Sequence, residues 1–202
     1  LQMNVINLGG NMGKKELIRE AAVKVIAREG FYNTKMQTIA EEAGVAIGTL
    51  YLYFKNKEDI LDYIFKVEFN KRLKFIDSMK DNNMTHLKRI DCFLMFHVRE
   101  LKNNPDIAKV LIQEAVDPSL QHKLEWVNKI YNGLHGILSQ MLENAKENGE
   151  IRDIDTGIIS TVIFSSLRSI VYKMLKEGRE DEYDNAISQI ITLVINGIKN
   201  NF

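Results

Sequence analysis

Apolar and polar positions alternate along this chain with a helical period almost throughout. From Lys14 to Glu29, Leu17, Ala21 and Val25, flanked by Ala22 and Ile26, fall at three- and four-residue intervals with charges opposite, which predicts an amphipathic helix. Gly30 is its stop. Thr34 is an N-cap candidate for a short helix, Lys35 to Ala43, that buries Ile39, Ala40 and Ala43 and ends at Gly44. A third helix runs from Ala46 to Phe54, and a longer one from Lys57 to Lys80 before the Asp81-Asn82-Asn83 loop. Beyond it the pattern predicts helices over His86–Lys102, 105–116, Leu120–Asn148, Asp155–Glu177 and Glu182–Asn200, with Pro105 well placed at a first helical position. No segment shows period-two alternation. The fold class is all-α, with about nine helices, a small domain over 14–57 and a larger one over 58–202.

Composition supports this. The 202 residues are 45% hydrophobic, and only Pro105 and Pro118 could interrupt a helix. The formal net charge is zero; residues 1–57 hold eight Lys/Arg against five acids, an asymmetry no larger than many solvated faces show. Cys92 is the single cysteine, which excludes an internal disulfide and a cysteine-based zinc site. Its apolar neighbours mark it as a small buried hydrophobe, and the usage fits a reducing cytoplasm. No run of about 18 uninterrupted apolar residues occurs, so no membrane span is expected. Residues 1–13 lack the features of a signal peptide and read as an expression remnant, with Met3 or Met12 as the natural start.

The stretch "TIAEEAGVAIGTLYLYFKNKEDIL" carries the chemistry. A helix, a short turn at Gly44-Val45-Ala46 and a second short helix have the length and punctuation of a helix-turn-helix. The second helix offers a core only Leu50 and Phe54. Its start is small (Ala46, Gly48, Thr49), which lets the backbone approach base edges in a major groove. Tyr51 and Tyr53 can donate to phosphates, and Lys55 and Lys57 follow at once. The competing reading makes the tyrosines half-buried packing residues with wet hydroxyls.

This block resembles the DNA-binding signature of the TetR/AcrR family of bacterial transcriptional repressors. The Gly turn, the G-T-L-Y-x-Y-F block and the lysine-rich tail stand in order, and the likeness covers about residues 14–65. It implies a three-helix DNA-binding domain followed by a helical ligand-binding and dimerisation domain. It also implies that Gln37, Ile47, Gly48 and Thr49 face base edges, that Thr34, Lys35, Tyr51, Tyr53 and Lys57 hold phosphates, and that Leu52 touches a sugar or methyl. The expected partner is a near-palindromic operator in double-stranded DNA, bound by a homodimer. The first half is also similar to the fatty-acid-responsive subgroup, whose effectors are long-chain acyl-CoA thioesters; cationic or aromatic lipophiles and other hydrophobic compounds are the rivals.

In the second half, Phe93, Phe96, His97 and Glu100 share one helix, and Leu111, Trp126, Tyr131 and Phe164 come from others. Together they are candidates for an apolar effector chamber, with Arg168 for an anionic group. Ile158, Ile159, Val162, Ile163, Ile170 and Met174 mix with Ser165, Ser166 and Ser169. Ile187, Ile190, Ile191, Val194, Ile195 and Ile198 form a wide apolar face on the last helix. These helices build either an internal core or, as the resemblance implies, a four-helix dimer interface. No metal or other cofactor is implied. An enzyme is the rival class, but His97-x-x-Glu100 and His122-x-x-Glu125 reverse the order used by di-iron bundles. A helical adaptor that binds only small molecules or protein is the other.

Overall fold

A computed structural model describes residues 13–80, 83–179 and 182–200. The expectations for residues 1–12 and for Asp81 and Asn82 lie outside the described residues. Those described form eleven α-helices: α1 Lys14–Glu29, α2 Met36–Glu42, α3 Ile47–Tyr53, α4 Lys57–Ser78, α5 His86–Asn103, α6 Pro105–Glu114, α7 Pro118–Lys123, α8 Glu125–Asn128, α9 Leu134–Glu147, α10 Thr156–Glu177 and α11 Tyr183–Ile198. A π-helical turn, Lys129–Gly133, joins α8 to α9. The chain divides into two compact units after Leu61, inside α4.

In the first unit α1 packs on α2 and α2 on α3. Ile18, Ala22, Val25, Ile26, Ile39, Ala40 and Leu50 are almost wholly buried, and Phe54 closes this core. Leu17, expected on the buried face, is 38% exposed and Ile18 takes its place. Gly44 holds φ +64° in the turn between α2 and α3, a backbone conformation that an L side chain would strain. Asn56 and Asp59 cap α4 reciprocally: Asn56 Oδ1 accepts from the Asp59 N–H (2.8 Å), and Asp59 Oδ2 from the Lys55 N–H (3.0 Å).

Two residues expected to hold phosphate instead hold the fold. Lys57 Nζ donates to the carbonyls of Phe31 (2.9 Å), Tyr32 (2.8 Å) and Thr34 (3.2 Å) and lies 4.8 Å from the Phe31 ring centroid. An ammonium has three protons, so all are engaged. The reason is the α1–α2 loop, whose carbonyls converge with no helix or strand to take them. Thr34 is 2% exposed, and its hydroxyl donates to the Gly30 carbonyl at 2.8 Å; it neither caps α2 nor faces solvent.

In the second unit α9 packs on α10 and α5, α10 on α6 and α11, and α5 on α11. Asp117 and Asp155 cap α7 and α10, and Thr85 caps α5. The Glu150 carboxylate takes the His86 and Leu87 N–H groups at 2.9 and 2.8 Å. The single helix expected over Leu120–Asn148 is broken. Leu124 turns extended (φ −115°, ψ 116°), and the first turn of α8 is capped from α4, Asp62 Oδ1 accepting from the Trp126 N–H at 2.7 Å. Gly133 leaves room for the Phe69 ring, which a Cβ there would meet at 3.0 Å. Cys92 is half-buried rather than buried.

By length and composition α10 is apolar enough to cross a membrane, which the count of uninterrupted apolar residues did not anticipate. Only 33% of its most apolar window is buried.

Removing the Lys57 ammonium while keeping its stem, Lys57→Met, is expected to cost about 2 kcal/mol, the scale of hydrogen bonds from a charged group. Native-state hydrogen exchange should show the α2 amides losing roughly 30-fold in protection; unchanged protection would mean the ammonium does not brace the loop.

Candidate DNA-reading face and ligand cavity

The first unit leaves a compact exposed surface on α3. Leu50 turns inward, while Tyr51, Leu52 and Tyr53 are 53%, 83% and 41% exposed. Gly48 is exposed and Ile47 and Thr49 are half-buried. Such exposure of three large side chains in succession on a seven-residue helix is unlike a core element. Lys35 and Gln37 on α2 are also exposed, and Gln37 Nε2 donates to Glu41 Oε1 at 2.8 Å, so its amide is already oriented. Lys55 is exposed just past α3. Sequence reasoning missed Tyr32, 62% exposed beside buried Phe31; the contrast in a Phe-Tyr pair within a loop is a signal only in retrospect, because either ring could have turned inward.

In the second unit a cavity of about 90 Å³ opens between α5, α6, α9 and α10. Of the ligand candidates, His97, Leu111, Tyr131, Phe164 and Arg168 line it, beside Leu101, Ile112, Ala115, Ile130, Leu134, His135 and Ser165. The other four candidates do not. Phe93 is fully buried behind the wall, edge-on to Phe164 at 6.4 Å. Phe96 stacks on Phe75 at 4.0 Å between centroids. Glu100 faces Lys71, its Oε2 3.7 Å from Nζ. Trp126 has the Lys129 and Lys66 ammonium groups over its ring, at 4.1 and 5.3 Å from its centroid. Helical spacing gave these residues shared faces, not which face borders the void.

The polar groups at the cavity are few. Phe164 carries the His97 ring on one contact (5.4 Å) and the His135 ring on another (5.0 Å). Burial, and then the Arg72 guanidinium, hold the His97 imidazole well below its ordinary range, so it is neutral at physiological pH. Burial and then Arg168 lower His135 as well. Arg72 Nε donates to His97 Nδ1 at 3.2 Å. Behind it, Arg72 and Glu68 are 0% and 1% exposed, and Arg72 Nη1 donates to Glu68 Oε2 and to the Glu68 carbonyl, both at 2.7 Å. Burial opposes ionisation of Glu68, but Arg72 and Lys71 outweigh it and its pKa is lowered. Arg168 is half-buried at the cavity, and no oxygen among the described residues accepts from it. No group of three His, Cys, Asp or Glu side chains among the described residues could hold a metal ion.

Residues 18–64 match the family model of bacterial regulatory proteins of the tetR family, and residues 65–197 match that of the YsiA-like protein C-terminal region. The fatty acid metabolism regulator protein of Bacillus subtilis is 30% identical over 187 residues, 91% of this chain and 94% of that protein. The solved structure of a transcriptional regulator, FadR from Bacillus subtilis in complex with stearoyl-CoA, superposes with a TM-score of 0.80 at 28% identity, over 91% of this chain and 98% of that one. The fatty acid degradation regulator FadR from Bacillus halodurans gives 0.81 at 27% identity, over 91% and 95%. An exposed short helix on one unit and a cavity in the other accompany these likenesses: the chain belongs to the TetR family of bacterial regulatory proteins and is a ligand-responsive DNA-binding repressor, not an enzyme.

Proposed function

We propose that the repressor is a homodimer that holds a near-palindromic operator with α3 of each protomer in the major groove, and that a long-chain acyl-CoA thioester in the cavity releases it. The observation that carries the effector assignment is Arg168, a cation at an otherwise largely apolar cavity with no acceptor among the described residues. A half-buried guanidinium without a counter-ion favours a ligand that brings one. A purely hydrocarbon effector would leave it unpaired. A groove lined by Lys109, Tyr172 and Lys176 shares the Ile112 wall with the cavity, so phosphates have cations nearby while an acyl chain occupies the apolar interior. The stearoyl-CoA complex of the Bacillus subtilis relative supports the same class of ligand.

At the operator, Gly48 and Thr49 allow close approach, Ile47 supplies a methyl contact and Gln37 pairs with an adenine edge. Lys35, Tyr51 and Tyr53 hold phosphates, with Lys55 added to them. Leu52, the most exposed of the three consecutive side chains, meets a sugar or methyl. Dimerisation supplies the second reading head one DNA turn or a multiple away. On α10, Ile158, Val162, Ser165, Ser169 and Tyr172 are all exposed at alternating four- and three-residue steps, the spacing of a helix–helix seam. On α11, Leu193 is 74% exposed between half-buried Ile190 and Val194. We assign both faces to the partner copy. Both ligands, chromosomal DNA and acyl-CoA, place the protein in the cytoplasm. Effector occupancy acts through α4, which begins in the first unit and ends in the second.

Fluorescence anisotropy on genomic fragments selected by the protein should show palmitoyl-CoA weakening DNA binding by about tenfold or more, a coupling of ordinary allosteric size, with CoA or palmitate alone inactive. Equal effects of palmitate and palmitoyl-CoA would exclude the thioester as effector. In the same assay Lys35→Ala should reduce the slope of log affinity against log salt by about 0.9, one phosphate contact, and Lys57→Met should leave the slope unchanged. By isothermal titration calorimetry, Arg168→Gln should weaken palmitoyl-CoA by roughly 10- to 100-fold; unaltered affinity would remove Arg168 from the site.

A further inference from the structure

The cavity wall carries a second polar feature that the anion-binding role of Arg168 leaves unused. An arginine Nε–H is always a donor, so the Arg72 contact forces His97 Nδ1 to accept and places the imidazole proton on Nε2. No described residue takes that proton: among them His97 makes no other hydrogen bond, and it lines the cavity. The tautomer is fixed from behind. Arg72 is held by Glu68 through side chain and carbonyl together, and Glu68 also receives Lys71 Nζ at 2.8 Å. Arg72 Nη2, wholly buried, likewise has no acceptor among the described residues.

We propose that His97 Nε2–H donates a hydrogen bond to the carbonyl oxygen of the effector's thioester, with Arg72 and Glu68 as positioning residues that keep the proton on that nitrogen. The inference rests on the acyl-CoA reading of the cavity and adds to it the atom that is read. A neutral N–H amid apolar side chains suits an uncharged acceptor: the phosphates carry charge and belong with Arg168 and the lysines, and the hydrocarbon tail carries no acceptor. An alkyl chain laid against His97 would leave its donor unsatisfied, which costs more than a bond never offered. The site then distinguishes an acyl group from an alkyl group of equal length and fixes how deep the chain enters.

The test compares palmitoyl-CoA with S-hexadecyl-CoA, the thioether of the same chain length without the carbonyl oxygen, by isothermal titration calorimetry on the full chain. Wild type is expected to prefer the thioester by about tenfold, the value of one buried hydrogen bond. His97→Phe should collapse that preference to within about twofold, and His97→Gln, which retains an amide donor, should restore part of it. Equal binding of both compounds by wild type, or a preference that survives in a folded His97→Phe protein, overturns the role of His97 and leaves the acyl-CoA reading standing. Binding of neither compound overturns both. If His97→Phe fails to fold, the wild-type preference together with the His97→Gln result decides.

Discussion

The second unit depends on how α4 disposes of a charge it cannot expose. Arg72 is fully buried, and a guanidinium in that position is tolerable only if its neighbours supply compensating charge and acceptors. Glu68, one helical turn earlier, does both. The residual positive charge of Lys71 beside it is met by Glu100 on α5 at 3.7 Å, so four ionised side chains form a neutral group. The pairing fixes which face of α4 meets α5, because His97 on α5 is the remaining partner of Arg72. Truncating one member would strand a buried charge; replacing the pair with apolar residues of similar volume would not carry that cost. The ion pair is thus better understood as a device for orientation than as a source of stability. The same helix is held at its other end by a cation of a different kind, since Lys57 spends all three protons on loop carbonyls of the first unit.

How much of this the sequence revealed follows from the range over which each interaction acts. The helix-turn-helix was legible because its determinants are local: Gly44 in the turn, small residues at the start of α3, and Leu50 and Phe54 four apart on the buried side. The break at Leu124 was not, because the Asp62 carboxylate that caps α8 comes from α4, sixty-four residues away. Lys57 and Thr34 illustrate a different limit. The groups that suit a phosphate oxygen suit a peptide carbonyl equally well, and residue type does not say which is nearer. Periodicity likewise put Phe93, Phe96 and His97 on one helix face. Yet the turn from His97 to its neighbours separates the cavity from the interior, where Phe93 lies, and from the Phe75 contact, where Phe96 lies. Glu68 and Arg72 passed unnoticed since a Glu–Arg pair four apart ordinarily decorates a solvated helix.

α10 is apolar enough by composition to cross a membrane, yet its polar groups are disposed differently from those of a lipid-spanning helix. A lipid-spanning helix is apolar around its circumference and pairs its rare polar groups inside a bundle. Here Ser160 is buried with its hydroxyl on the His135 carbonyl at 2.8 Å, Arg168 borders the cavity, and the exposed serines interrupt the seam of Ile158, Val162 and Tyr172. Two distinct apolar faces, one on the unit's own core and one on the proposed partner copy, account for both the composition and the low burial of its most apolar window.

Those two faces meet at one residue, which ties effector to assembly. Ser165 stands on the exposed seam and also lines the cavity between Phe164 and Arg168. A ligand alters an equilibrium only through contacts that differ between its two states, and packed helices accommodate a new occupant by rigid shifts rather than by local softening. An effector bound by Arg168 and His97 engages α10 and α5 together. Any shift of α10 is shared by the proposed interface, while any shift at His97 is passed to Arg72 and so to α4. In this scheme a single occupant of the cavity biases both the separation of the two protomers and the helix that leads to each reading head. The proposed release from an operator then follows from the mismatch of spacing.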